Sequence, residues 1–290
     1  MEFLAALCQI KPALGKLDDN LADHLEWIDK ATEKKADLAM FPELSLTGYL
    51  LRDLAQEVAL PIEAEPIQKL VSRSKDISIV FGFVEETSEH QFFNSAVFAE
   101  GGEILHVHRK AFLPDYGIFE EGRYFSAGDS MRPVQSRLGK FGLLVCEDAW
   151  HLSAGWLQFL QGVDAFLIPA ASPARGIEAD NEELSSQASW RTLREAMAIF
   201  FQSWVIHCNR VGVEDGAMFW GGSGVISPLG ELQAEAPGAE EHLLLENISS
   251  EATKRARIQL PLLRGSRPDF VRRQLAQILQ DPDALQESRP

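Results

Sequence analysis

The chain has 290 residues, and its composition, 46% hydrophobic and 24% charged, is that of a globular protein with enough apolar material for one large domain over residues 1–290. Its 27 basic residues stand against 43 acidic ones, and the formal charge of −16 argues against nucleic acid or an anionic membrane surface as a partner. No apolar run approaches the roughly 20 residues that a membrane span requires.

The N-terminal segment, MEFLAALCQI, lacks the basic region of a signal peptide and turns polar early. We therefore expect it to form a first strand, and we expect the protein to be cytoplasmic. The three cysteines, Cys8, Cys146 and Cys208, are far apart and lack the spacing of a metal site or a disulfide scaffold. Each is expected to be a reduced thiol, serving either as a core residue or as a nucleophile.

Two long segments have helical periodicity. Residues 20–34 carry Leu21, Leu25, Ile28 and Ala31 at helical spacing behind Asn20, which is the predicted N-cap. Residues 181–203 repeat this pattern with an acidic first turn.

Short apolar runs rich in β-branched residues predict strands before, between and after these helices. They cover residues 3–8, 38–41, 77–84, 95–98, 104–108, 141–145, 165–168, 205–209 and 224–226. Helices link some of the strands and short turns link others. This mixture predicts a layered α/β (α+β) architecture in which two sheets pack face to face with helices outside.

Three of the predicted strands end in residues that could carry chemistry. Glu43 follows the predicted strand 38–41 at a turn that Pro42 constrains. Lys110 lies at the end of the predicted strand 104–108, and Cys146 follows the predicted strand 141–145. Taken singly, the glutamate and the lysine are more often solvated, and a buried cysteine is more often a small core residue. The alternation around Lys110 does not decide which way its side chain points.

Together, the three residue types suffice for thiol catalysis. Attack by a thiol needs a base, and the tetrahedral intermediate needs its charge offset, so Glu43 and Lys110 could serve Cys146 without a histidine. Lys110 is expected to lower the Cys146 pKa and so to favour its labelling over that of the other two cysteines. The alternative is papain-like catalysis with His207 or His151 as the base, although His207 lies within an apolar run and His151 has no local signature.

The segments around these residues resemble a known family. FPELSLTGY, HRKAFLPDYGIFEEGRYF and LLVCEDAW are similar, in order and in spacing, to the three signature motifs of the nitrilase, or carbon–nitrogen hydrolase, superfamily. IPAASP, HCNRVG and FWGGSGVISPLGE also resemble the family, so the likeness runs from Leu4 to about Leu245 and leaves residues from about 249 to 290 as a C-terminal extension.

The resemblance implies a four-layer αββα sandwich. It implies Glu43 as the general base, Lys110 as the group that stabilises the oxyanion, and Cys146 as the nucleophile that forms a thioester or thioimidate. It also implies that no metal or organic cofactor is used, and that the chain forms a homodimer or a higher homo-oligomer through its outer helices.

Within the superfamily, the nearest resemblance is to the glutaminase domain of glutamine-dependent NAD synthetase. The pocket and substrate-side positions of that domain correspond here to Tyr49, Tyr116, Glu121, Glu147 and Ser172. Glu121 is also the candidate second carboxylate near Lys110, and a one-residue slip would put Glu120 in its place. No SGG-type nucleotide-binding loop is present, so the ATP-dependent synthetase half is expected to be missing.

The expected function is an amidase that cleaves a small non-peptide carboxamide, glutamine or a similar compound, and releases ammonia. Three alternatives remain open. The chain could be a nitrilase that acts on a C≡N group, or a glutaminase subunit that supplies ammonia to a separate synthetase. It could also be a catalytically inactive binding or assembly subunit.

Overall fold

The structure is a computed structural model that describes residues 2–176 and 184–280. Within these residues the strands are β1 (Glu2–Gln9), β2 (Leu38–Met40), β3 (Ser78–Glu86), β4 (Phe92–Glu100), β5 (Glu103–Arg109), β6 (Val134–Ser136), β7 (Gly139–Leu143), β8 (Ala165–Ala170), β9 (Trp204–Asn209), β10 (Val211–Glu214), β11 (Ala217–Trp220), β12 (Gly224–Ile226), β13 (Leu232–Glu235) and β14 (His242–Ser249). The α-helices are α1 (Leu17–Glu33), α2 (Ala55–Val58), α3 (Glu65–Ser72), α4 (Glu121–Tyr124), α5 (Leu152–Phe159), α6 (Ser185–Phe201), α7 (Ser250–Gln259), α8 (Leu262–Gly265) and α9 (Pro268–Leu279).

Two six-stranded sheets form the centre of the described part of the chain. The first has the order β14–β1–β2–β3–β4–β5, and the second has the order β13–β12–β9–β8–β7–β6. In each sheet three central strands are parallel, β1 to β3 in one and β7 to β9 in the other. The strands that flank them are antiparallel, and β10 and β11 form a separate hairpin.

The core has layers because each central strand buries both of its faces. Phe98 of the first sheet stacks on Phe141 of the second, with ring centroids 5.6 Å apart. On the outer face of the first sheet, Ile28 of α1 and Leu70 of α3 join its buried apolar cluster. On the outer face of the second, Phe201 of α6 packs against the β8 and α5 side chains. The expected αββα sandwich is therefore confirmed.

All nine predicted strands and both predicted helices are present; β12 has the predicted ends, and the ends of the others differ. Helix α1 begins at Leu17, so the prediction that Asn20 is its N-cap is wrong. Asn20 lies inside the helix, where its side chain bonds the backbone of Ala13 and Leu46 and ties two loops together. Helix α6 begins at Ser185 with no acidic residue in its first turn, whereas positions 181–183 of the prediction lie outside the described residues.

Three further features bear on the predicted organisation. β7 ends two residues earlier than predicted, at Leu143. The C-terminal extension contains α7, α8 and α9 as far as residue 280, and the polar tail beyond it lies outside the described residues. No helix within residues 2–176 and 184–280 is long and apolar enough to cross a membrane. That the chain is one domain with a C-terminal extension stays a prediction.

Candidate active site

The ends of strands from both sheets bring the predicted residues together. β5 runs in the same direction as β2, because the two antiparallel pairings β3–β4 and β4–β5 reverse the chain twice. Glu43 and Lys110 therefore leave the first sheet at one edge, and Cys146 follows β7 in the second sheet. Their exposures are only 1%, 1% and 7%.

Lys110 makes two charged contacts. Its Nζ lies 2.8 Å from Oε1 of Glu43 and 2.7 Å from Oε1 of Glu121. Burial by itself would lower the pKa of Lys110, but Glu121 and Glu43 outweigh it and hold that pKa well above its ordinary value. Lys110 is therefore a cation, and its side chain points inward, toward Glu43 and Glu121.

Glu43 is fixed by neutral donors as well as by the lysine. Asn94 Nδ2 donates to its Oε1 at 2.8 Å, and the backbone N–H of Ala171 donates to its Oε2 at 2.9 Å. The next residue, Leu44, has a φ of +46°, a backbone conformation that non-glycine residues rarely adopt. The sharp turn after β2 thus aims the carboxylate inward instead of into solvent.

Cys146 lies at a second strained turn. It has a φ of +45° and opens the 3₁₀ helix Cys146–Trp150. The charges of Glu43, Lys110 and Glu121 all act on its sulfur, and the Ala171 N–H that bonds Glu43 also favours the thiolate. The sulfur therefore shares the immediate surroundings of the other two side chains.

The acidity of Cys146 differs from the expectation. Burial and the Glu43 carboxylate raise the pKa of the thiol well above its ordinary value, although Lys110 acts in the opposite direction. The expectation that Lys110 gives Cys146 a lowered pKa is wrong in its net direction, because burial and the Glu43 charge outweigh the lysine. The resting nucleophile is a thiol, and it needs a base.

The geometry favours Glu121 over Glu120 as the second carboxylate. Glu121 is 5% exposed and accepts hydrogen bonds at Oε1 from Lys110 and from the Tyr49 hydroxyl, the latter at 2.5 Å. Glu120 is exposed, at the residue before α4. Burial, partly offset by Lys110, raises the pKa of Glu121 to about 7. Its Oε2 has no hydrogen-bond partner among the described residues.

A cavity of about 260 Å³ lies beside Cys146, which forms part of its lining. Tyr116, Glu147 and Ser172, which were predicted on the substrate side, all line it, together with Arg175. The Tyr116 hydroxyl donates to Oε2 of Glu147 at 2.7 Å, and the Tyr116 side chain is half exposed. Tyr49 lines a neighbouring cavity of about 800 Å³ instead, with Glu121.

Neither alternative histidine is placed to act as the base. His207 is fully buried and stacks on the Trp190 ring at 4.5 Å, and burial holds its pKa well below the ordinary value. His151 stacks on Phe112 at 3.7 Å and lies 3.7 Å from Glu147. Neither lines the cavity at the sulfur.

Several residues around the site were not predicted. They are Asn94 and Asp148, which hold the reactive segments, and Arg175, Trp190 and Trp220, which surround Ser172 and the cavity. Asn94 could have been noticed, since it is the one amide in the apolar run FFNSAVF. Asp148 follows Cys146 by two residues, but only its three-dimensional contacts distinguish it from Glu147.

The layered sheets and the buried Glu–Lys–Cys cluster define the class of hydrolases that act on non-peptide carbon–nitrogen bonds. The chain belongs to the carbon–nitrogen hydrolase family, whose sequence model matches residues 4–258. It is accordingly a hydrolase of this type, in a family whose general nucleophile is a cysteine.

Individual relatives agree with this assignment. A glutamine-dependent NAD(+) synthetase from Acinetobacter baylyi is 33% identical over 256 residues, which cover 88% of this chain and 46% of that protein. An N-carbamoylputrescine amidase from Arabidopsis thaliana is 26% identical over 272 residues, which cover 88% of this chain and 90% of the amidase. A crystal structure of a carbon–nitrogen hydrolase from Helicobacter pylori G27 superimposes with a TM-score of 0.84 at 28% identity, covering 95% of this chain and 99% of that one.

These matches confirm the family resemblance drawn from the three motifs, and they include the likeness to glutamine-dependent NAD synthetases. The chain spans less than half the length of the Acinetobacter baylyi synthetase.

Proposed function

We propose that the protein is an amidase that cleaves a small carboxamide with a zwitterionic head group, such as glutamine, and releases ammonia. The observation that carries this proposal is the buried contact of Lys110 with both Glu43 and Glu121 beside the Cys146 sulfur. A carboxylate, an ammonium and a thiol in one closed cluster meet the needs of acyl transfer without a metal or a histidine.

In the proposed reaction, Glu43 takes the proton of the Cys146 thiol as the sulfur attacks the amide carbon. A C–S bond forms, and the carbonyl π electrons move onto oxygen, where the Lys110 ammonium offsets the negative charge. The oxyanion collapses, the C–N bond breaks, and the nitrogen takes the proton from Glu43 and leaves as ammonia. Glu43 then removes a proton from water as the water oxygen bonds to the thioester carbon. The C–S bond breaks, the carboxylic acid product leaves, and the sulfur takes the proton back from Glu43, which restores the thiol.

The lining of the cavity at the sulfur supports a substrate with both charges. When ionised, Glu147 can accept hydrogen bonds but cannot donate them, so it suits an ammonium group. Arg175 lines the same cavity, and its buried Nη2 has no hydrogen-bond partner among the described residues, so it suits a carboxylate. A cavity of about 260 Å³ fits a small amide of this kind.

Ser172 lines the same cavity as Arg175 and adds a hydroxyl group to it. Its Oγ accepts hydrogen bonds from the indole N–H groups of Trp190 at 2.8 Å and of Trp220 at 3.3 Å. Because a hydroxyl has two lone pairs, both are occupied, and only its hydrogen is left to bond a ligand. No acceptor for that hydrogen lies within the described ranges, so Ser172 is set to donate to an oxygen of the substrate.

The test is ammonia release from glutamine, short ω-amides, N-carbamoyl compounds and nitriles, by the wild type, Cys146→Ala and the matched core variant Cys208→Ala. We expect turnover of glutamine or a close analogue by the wild type and Cys208→Ala only, with a covalent acyl adduct on Cys146 in mass spectra. Equal turnover by Cys146→Ala would refute the mechanism. Preference for a nitrile would favour the nitrilase alternative, and no turnover with any compound would favour the inactive subunit.

A cytoplasmic location, a homo-oligomeric state and the supply of ammonia to a separate synthetase are further parts of this proposal. The last draws on the likeness to glutamine-dependent NAD(+) synthetases. Coupling would appear as faster ammonia release when a separate ammonia-dependent synthetase and its substrates are added, and an unchanged rate would count against it.

A further inference from the structure

Asp148 is a buried carboxylate that none of the proposed chemical steps uses. It is 0% exposed and accepts hydrogen bonds from four described donors. Its Oδ1 accepts from the backbone N–H groups of Ala111 and Phe112, both at 3.0 Å. Its Oδ2 accepts from the backbone N–H of Val145 at 3.0 Å and from His108 Nε2 at 2.8 Å.

These donors belong to the two chain segments that carry the reactive groups. His108, Ala111 and Phe112 flank Lys110 on both sides, and Val145 immediately precedes Cys146. One side chain thus bonds the lysine segment of the first sheet and the cysteine segment of the second.

Asp148 also closes the strained turn at the nucleophile. Its backbone N–H donates to the Val145 carbonyl at 3.0 Å, while its carboxylate accepts from the Val145 N–H. Cys146, with its φ of +45°, lies inside this small ring. Strained conformations persist only where the surroundings fix them, and here two hydrogen bonds between the same pair of residues do so.

We propose that Asp148 is a positioning residue for the amidase reaction, setting the distance between the Lys110 ammonium and the Cys146 sulfur, with His108 as its partner. This proposal rests on the proposed function. A carboxylate is required, since only its two acceptor oxygens can satisfy four donors at once. An amide at this position would point an N–H group at two of them.

The test compares Asp148→Asn with Glu100→Gln, a matched change at another carboxylate that links the two sheets. Glu100 accepts from Ser78 of β3 at 2.7 Å and from Ser136 of β6 at 2.6 Å, away from the reactive cluster. We expect Asp148→Asn to lower kcat about 100-fold with KM nearly unchanged, because misplacement of reacting groups by about 1 Å costs that much. Glu100→Gln should lower stability and leave both constants as they are.

A second readout does not depend on turnover. The charges that act most on the Cys146 sulfur are those of Glu43, Lys110 and Glu121. When Asp148 no longer holds the lysine segment against the cysteine segment, the thiolate loses part of the help of Lys110. The pH midpoint of iodoacetamide alkylation of Cys146 should then rise by about one unit, a tenfold smaller thiolate fraction. Glu100→Gln should leave this midpoint unchanged.

If Asp148→Asn does not fold, the His108 variants decide. His108→Ala removes one donor and should lower kcat about tenfold, whereas His108→Gln offers an N–H to the same oxygen and should recover most of the rate. Two results together would overturn the proposal: kcat within about threefold of the wild type, and an alkylation midpoint equal to that of the wild type. They would have to be found for Asp148→Asn, or for both His108 variants. If the wild type releases no ammonia while the midpoint still shifts, the proposed function fails and the positioning role stands.

Discussion

Replacing Lys110 with methionine should destabilise the protein by about 3–5 kcal/mol, the usual cost of removing one partner from a buried ion pair. Lys110 and Glu43 have no exposed side-chain surface, and Glu121 has 5%. The single ammonium bonds both carboxylates at 2.7 and 2.8 Å. Methionine keeps an unbranched apolar chain as far as Cε but removes the ammonium, so it leaves two buried carboxylates without a cation.

The assay is urea unfolding as a function of pH. Without the lysine, protonation of a carboxylate relieves the repulsion, so the loss should be largest at about pH 8 and smaller at about pH 5. Lys69→Met is the matched control, since Lys69 pairs with Glu65 at the same 2.8 Å on the surface, and it should change little. Adding Glu121→Gln to Lys110→Met should restore part of the stability. Equal losses in the two lysine variants, or a loss that grows on acidification, would refute the reasoning.

Three further predictions concern this cluster and the cavity that Cys146 and Arg175 line. Glu43→Gln should abolish ammonia release, because the proposed base is lost. It should also speed iodoacetamide alkylation of Cys146 at neutral pH, because the Glu43 charge raises the thiol pKa, and slower labelling would contradict this. The pKa of Glu121 is raised from 4.5 to about 7 in the folded protein, so the native state binds this proton more tightly than the unfolded state does. The free energy of unfolding of the wild type should therefore fall as pH rises through that interval, by on the order of 3 kcal/mol at most. Urea midpoints of Glu121→Gln should lack this slope, and an identical slope in both proteins would disprove the assignment. Arg175→Gln should raise KM for glutamine about tenfold or more with kcat retained, because the variant loses a charged hydrogen bond to the bound substrate. An unchanged KM would show that Arg175 does not contact the substrate.

The strand framework and the location of the cluster could be predicted because both depend on short, local sequence patterns. Each of Glu43, Lys110 and Cys146 follows a predicted strand, and β2 and β5 run in the same direction, so that Glu43 and Lys110 leave their sheet at one edge. Five strands in the described part of the chain were not predicted. Of these, β14 has eight residues (His242–Ser249), whereas β6, β10, β11 and β13 are only three or four residues long. Runs of that length carry too few residues for a period of two to be recognised.

The acidity of the groups could not be predicted, because it depends on burial and on neighbours that are distant in the chain. Cys146 has two carboxylates as well as one ammonium around it, and only the folded structure shows that burial and Glu43 outweigh Lys110. The choice between Glu120 and Glu121 was likewise a question of which side chain turns inward at the start of a four-residue helix. Asn20 was mistaken for a cap because a residue that bonds loop backbone has the same local pattern as a helix N-cap.

The charges of the cluster explain why its base is a carboxylate. Around Cys146 there are two carboxylates and one ammonium, so ionising the thiol as well would gather three negative charges around one positive charge in a buried site. Transfer of the thiol proton to one of the carboxylates avoids this accumulation, because it keeps the total charge of the cluster constant. Glu43 has its Oε2 bonded by the same Ala171 N–H that favours the thiolate, which places it beside the sulfur, whereas Glu121 is bonded to Lys110 and Tyr49. Proton transfer from Cys146 to Glu43 during attack is thus the step that this arrangement permits, and an imidazole base is not needed for it.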